Sequence, residues 1–127
     1  MTQVHEEQPA PRVLCDTGAV LAETPDAAGV LWKLAESGRQ LDANLVRLPP
    51  GRHIAPHAEP DLDVLALVVS GAGVLHAGTD GEERPLTPGA LLWLPHGSTR
   101  AITAGDEGLA YVTVHRRRPG MRIGRAR

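Results

Sequence analysis

Apolar positions occur along this chain in short runs, and glycine or proline closes almost every one. Val30-Leu31-Trp32-Lys33-Leu34-Ala35-Glu36 and the run over residues 41–48 flank Ser37-Gly38-Arg39, the pattern of a hairpin with a short glycine-containing loop. Pro49-Pro50-Gly51 breaks the chain, and a short strand over residues 54–59 leads to a turn at Pro60-Asp61. Val64-Leu65-Ala66-Leu67-Val68-Val69 is apolar on both faces. Six residues ending at Ser70-Gly71-Ala72-Gly73 are too short for an ordinary helix, so the run predicts a strand whose outer face is covered by a second sheet or another subunit. Strands are further predicted over residues 74–77, 90–94, 99–103 and 109–115, with turns at 78–81 and 85–89. The apolar stretches Val13-Leu14 and Ala19-Val20-Leu21-Ala22 read as one or two edge strands.

With 127 residues the chain is the size of one domain. The expected division is an N-terminal arm over 1–28, a barrel over 29–116 and a basic tail over 117–127. Fourteen glycines and eleven prolines favour many short strands over long helices. Strands at this spacing without a strong amphipathic helix imply a closed antiparallel sandwich or barrel, an all-β fold.

Trp32, Trp93 and Tyr111 are the whole aromatic complement, so Leu, Val and Ala must fill the core and stacking on nucleic-acid bases is not expected. Both tryptophans read as core. Charge is unevenly spread: Arg116, Arg117, Arg118, Arg122, Arg125 and Arg127 leave seven basic against fifteen acidic residues before them. A basic end on an acidic body reads as a solvated end or self-contact, and nucleic acid is not the expected partner. Cys15 is the single cysteine and reads as a buried thiol rather than a nucleophile. No charged leader followed by a long apolar run is present, so a cytoplasmic protein without membrane contact is expected.

Two glycine-anchored blocks carry the candidate chemistry. One runs Gly51-Arg52-His53-Ile54-Ala55-Pro56-His57-Ala58-Glu59 and continues to Gly71; the other runs Gly89-Ala90-Leu91-Leu92-Trp93-Leu94-Pro95-His96-Gly97-Ser98-Thr99-Arg100. Together they resemble the two motifs of the cupin family, with Gly51, His57 and Gly71 matching the first frame and Gly89, Pro95 and Gly97 the second. The resemblance spans about residues 30–115 and implies a double-stranded β-helix, or jelly-roll barrel, that is frequently dimeric. It also implies where a metal would sit, because metal-binding cupins use two histidines and a glutamate of the first motif and a histidine of the second. Here those positions hold His57, Glu59, Val64 and Arg100.

On an extended segment His57 and Glu59 point to one face about 7 Å apart. Arg100 adds a guanidinium that repels a cation and pairs with Glu59 or a ligand carboxylate or phosphate. The usual metal site is therefore not expected, and a small anionic ligand on His57, Glu59 and Arg100 is. A substitute donor set for Zn, Mn, Fe or Ni needs His57, Glu59, Asp63 and His53, with a β-bulge bringing in Asp63 and a bend at Pro56 bringing in His53. On a straight strand His53 and His57 are roughly 13 Å apart. His53, His76 and His96 otherwise read as surface groups, Glu59 alternatively as a turn residue, and His115 as lining the barrel or facing solvent. The residues leave two main functions open: a metal-free binding protein, or a cupin enzyme. The enzyme is either a metal-dependent dioxygenase or related oxidoreductase, or a metal-free isomerase or cyclase with His57 as general base. A third reading is an interaction module built on the apolar strand and the arginine tail. The two-faced apolar strand gives its own reason to expect a homodimer.

Overall fold

The structure is a computed structural model that describes residues 9–78 and 80–118. Its elements are α1 (Thr17–Glu23), β1 (Gly29–Lys33), β2 (Leu41–Leu48), β3 (His53–Ala58), β4 (Val64–Ala77), β5 (Glu82–Leu86), β6 (Leu91–Leu94) and β7 (Thr99–Arg116). Every strand pairing is antiparallel, in the order β1-β2-β7-β4-β5, with β3 also on β7 and β6 also on β4.

Two long bent strands make the closure. β4 and β7 pair first over residues 65–71 with 109–114, then, after two register shifts, over 73–77 with 100–104. The first stretch joins β1, β2 and β6 in one sheet; the second joins β3 and β5 in another. The shifts fold the ladder over so that the sheets face each other. At that corner the backbones nearly touch: Gly71 has φ +79°, and a Cβ there would stand 2.2 Å from the Gly108 carbonyl oxygen. Only glycine meets both conditions.

The run that is apolar on both faces resolves by strict alternation. Val64, Ala66 and Val68 turn into the core with Leu92, Leu94, Ile102, Leu109 and Tyr111, whereas Leu65 and Leu67 face outward. Opposite Leu65 stands Trp93 and opposite Leu67 stands Leu91, both on β6, so the exposed outer row continues across two strands. Trp93 is thus 60% exposed rather than core. Trp32 is half-buried, paired with the fully buried Leu45.

The hairpin over β1 and β2 and the strands β3 and β6 overlap the predicted stretches, but β1 ends at Lys33 rather than Glu36 and β3 at Ala58 rather than Glu59. Residues 64–69 and 74–77 form one strand, as do 99–103 and 109–115. The stretch expected as edge strands instead forms α1. Asp16 caps it by accepting from the Ala19 N–H at 3.1 Å. The Arg47 guanidinium of β2 donates to the carbonyls of Leu21, at 2.7 Å, and Thr24, which closes the helix C-terminus and seats α1 on the outer side of β2. β5 was not expected. Glu82, Glu83, Arg84 and Pro85 have no apolar period, but as an edge strand on β4 they need none, and an edge tolerates proline. The tail beyond Arg118 lies outside the described residues.

Candidate functional site

Between the sheets lies a cavity of about 260 Å³ lined by Ile54, His57, Val64, Leu94, Arg100, Ile102, Tyr111, Thr113 and His115. A register shift in β3 explains how the first two share it. Ile54 pairs with Ile102 and His57 with Arg100, so three steps on β3 match two on β7. Without that bulge at Ala55-Pro56, residues three apart would face opposite sides. On β7, Tyr111, Thr113 and His115 alternate inward while Val112 and Val114 alternate outward, which places His115 in the lining.

Arg100 is the distinctive group. It is 6% exposed, the only buried charged residue among those described. Its guanidinium reaches only the carbonyl and hydroxyl oxygens of Ser98, each at 3.4 Å, and no carboxylate among the described residues pairs with it. A buried cation with so little compensation is costly to the fold. His57, at the exposed end of the cavity, donates Nδ1–H to the Ala55 carbonyl at 3.1 Å, so in the neutral ring Nε2 carries the lone pair.

The other expected site residues lie elsewhere. β3 ends at Ala58, so the two-residue spacing that would bring Glu59 alongside His57 does not apply. The Glu59 carboxylate instead accepts from the Asp61 N–H at 2.8 Å and from Arg118, a turn role, and those bonds, that of Arg118 foremost, hold its pKa below the ordinary range. Asp63 accepts from both the backbone N–H and Nδ1 of His96, at 2.9 and 2.7 Å, which lowers its pKa, the backbone bond contributing most. The bulge in β3 does not bring it inward. His53 lies on the outer side of its sheet, bonded to the Thr103 hydroxyl at 2.8 Å and edge-on to His76. Glu59, Asp63 and His53 therefore do not converge with His57. Two residues not named as candidates, Tyr111 and Thr113, line the cavity. Their alternation with His115 was visible in the sequence; which face was inward was not.

The donor set does not fit the metal centre that the fold family implies. Of the four ligand positions one keeps its imidazole, Glu59 is engaged at the turn, Val64 has no donor and Arg100 is a cation. Among the described residues no three His, Cys, Asp or Glu side chains come together in a metal-binding arrangement. Three larger depressions, of about 470, 530 and 300 Å³, are lined by other residue sets. In the first, Arg47 is already committed to the α1 carbonyls; in the second, Arg118 is committed to Glu59. Arg100 lines both the barrel cavity and the third depression, where it stands with Pro56, His76 and Thr99.

A double-stranded β-helix enclosing a small, mainly apolar cavity with one buried cation is the class that fold and site define. The chain has the double-stranded β-helix fold of cupin proteins. Among solved structures it is similar to KdgF from Halomonas sp., with 25% identity and a TM-score of 0.60 over 69% of this chain and 77% of that one. A Bacillus halodurans protein aligns at 19% identity and a TM-score of 0.67 over 93% and 89%. A sugar phosphate isomerase of the cupin superfamily from Silicibacter pomeroyi aligns at 29% and 0.55 over 64% and 53%. No protein-family description matches the chain, and no curated protein does.

Proposed function

We propose that this cupin binds a small anionic molecule in its barrel, with the ligand's charge met by Arg100 rather than by a divalent cation. The observation that carries this is the burial of Arg100 without a carboxylate partner among the described residues. Burying an ion without compensation is unfavourable, and a ligand carboxylate or phosphate removes the penalty with two parallel charge-assisted hydrogen bonds. The Silicibacter neighbour is by name a sugar phosphate isomerase, and a charged substrate in a protein of this fold supports the reading. The test is calorimetric titration of the purified chain and of Arg100→Met with a panel of small carboxylates and phosphates. Binding by the first and not the second supports the reading; equal binding by both overturns it.

A second reading, an enzyme acting on the same ligand, is favoured by His57. Its Nδ1–H bond to Ala55 directs the basic Nε2 of the neutral ring away from the backbone, the arrangement a general base needs for proton abstraction in an isomerase or cyclase. Turnover retained in His57→Gln would refute that role.

We also propose that two copies pair through the outer row of the first sheet. Leu65, Leu67, Leu91 and Trp93 are 43%, 39%, 67% and 60% exposed. They leave roughly 400 Å² of apolar surface together, in the range of the largest patch a monomer carries and about half of what each partner of a stable interface buries. Val112 and Val114, opposite Leu67 and Leu65, extend the row, and α1 is held to β2 by Arg47, so the row left open is offered to a second copy of itself.

A further inference from the structure

Tyr111 is 8% exposed and lines the same cavity as Arg100, yet its hydroxyl makes no hydrogen bond with any described residue. Among the described residues no fully buried side-chain polar atom lacks a hydrogen-bond partner, so this hydroxyl opens into the cavity, where a ligand can reach it. Arg100 and Tyr111 stand on the two stretches of β7, on either side of its register shifts against β4, and line one cavity. We propose that the cavity takes a small monocarboxylate with a compact apolar body, its carboxylate accepting hydrogen bonds from both the Arg100 guanidinium and the Tyr111 hydroxyl. This rests on the reading of Arg100 as the anion anchor and adds the ligand's chemical class.

Size supports the assignment. A rounded cavity of 260 Å³ is about 8 Å across. The volume falls below the range usual for drug-sized ligands, so the body is a few carbons or one small ring. The walls decide its character. Ile54, Val64, Leu94 and Ile102 offer nothing to hydrogen-bond; with Arg100 and Tyr111 on the carboxylate, His57, Thr113 and His115 remain for other polar groups, so the larger part of the wall suits an apolar body. One guanidinium balances a monoanion; a phosphate monoester dianion would leave a second charge against those walls. Burial pushes the Tyr111 phenol above its ordinary range, so it remains a neutral donor across physiological pH.

Tyr111 is the only tyrosine of the chain, so a single label reports the site. The protein is produced with 3-fluorotyrosine and titrated, in ¹⁹F NMR and calorimetry, with isovalerate, benzoate, the uncharged isovaleramide, inorganic phosphate and ribose 5-phosphate. Expected results are saturable binding of isovalerate or benzoate with displacement of the fluorine resonance and at least about tenfold weaker binding of the amide. Tyr111→Phe should bind the carboxylate about tenfold more weakly while its unfolding remains cooperative, and Arg100→Met should not bind it. Tighter binding of ribose 5-phosphate or phosphate than of either carboxylate, with Tyr111→Phe unchanged, overturns the monocarboxylate but leaves an anion on Arg100. Absence of binding by any anion, or binding that survives in Arg100→Met, overturns both.

Discussion

Replacing Arg100 by methionine should make the empty protein more stable. The side chain is 6% exposed, and its polar contacts are two 3.4 Å approaches to Ser98, longer than good hydrogen bonds. Methionine keeps an unbranched stem on the cavity wall beside Val64, Ile102 and Tyr111 in the lining and removes the charge. Ser98 loses little, because its hydroxyl already donates to the Pro95 carbonyl at 2.6 Å. Substituting apolar residues for buried ionic groups stabilises proteins by about 1–4 kcal/mol in known cases; with weak contacts forfeited here, roughly 2 kcal/mol is expected. For a domain of this size that raises the melting midpoint by about 6–10 °C. Differential scanning calorimetry of both proteins, repeated with saturating isovalerate, reads the effect twice. Without ligand the variant should melt higher; with ligand only the wild type should gain. A variant that melts more than about 3 °C lower than wild type refutes the reasoning, since Arg100 would then hold the barrel together rather than wait for a ligand.

Gly71→Ala should prevent stable folding, because its Cβ would overlap the Gly108 carbonyl at a backbone angle alanine rarely adopts; a melting midpoint within about 2 °C of wild type contradicts the corner geometry. Trp93→Glu should convert a dimer into a monomer in sedimentation velocity without lowering cooperativity, and identical sedimentation of the two proteins removes the outer row as the interface. Glu59 and Asp63 both have folded-state pKa values below the ordinary 4.5 and 3.8. Their contribution to stability is therefore complete above those values and fades as pH falls through the lower folded ones. The Glu59→Gln, Asp63→Asn double variant should show a flatter decline in urea midpoint between about pH 5 and 3, and parallel curves would remove these two contacts from the acid response.

What was legible in the sequence and what was not divide along a physical line. Strands announced themselves through runs closed by glycine and proline, because turn chemistry is local: Gly38 in the first hairpin and Pro95 after β6 act on their immediate neighbours. α1 escaped because half of what holds it, the Arg47 guanidinium, lies more than twenty residues away. β5 escaped because an edge strand can be stable without an apolar period. In the site, His57 and Arg100 were identifiable from the glycine frames, yet Glu59 was assigned to the cavity by extending β3 one residue too far. Strand ends shift easily, and at period two each residue decides a face. Tyr111 and Thr113 were ambiguous for the same reason: alternation shows that two faces differ without saying which is inside.

The frames and the site also obey different constraints. Gly71 is fixed by a corner that fails with any side chain, so the barrel keeps it whatever the barrel holds. Positions 57, 59, 64 and 100 carry no such backbone requirement, and a new side chain at position 100 alters the charge inside the barrel while leaving the corner untouched. A guanidinium there reverses the sign of the interior relative to a cluster of carboxylate and imidazole donors arranged for a cation. With the Val64 wall giving no negative charge and Glu59 turned away to Arg118, nothing else among the described cavity residues restores it. On the proposed reading, the fold limits the ligand's size and the side chains at positions 57, 59, 64 and 100 select its charge.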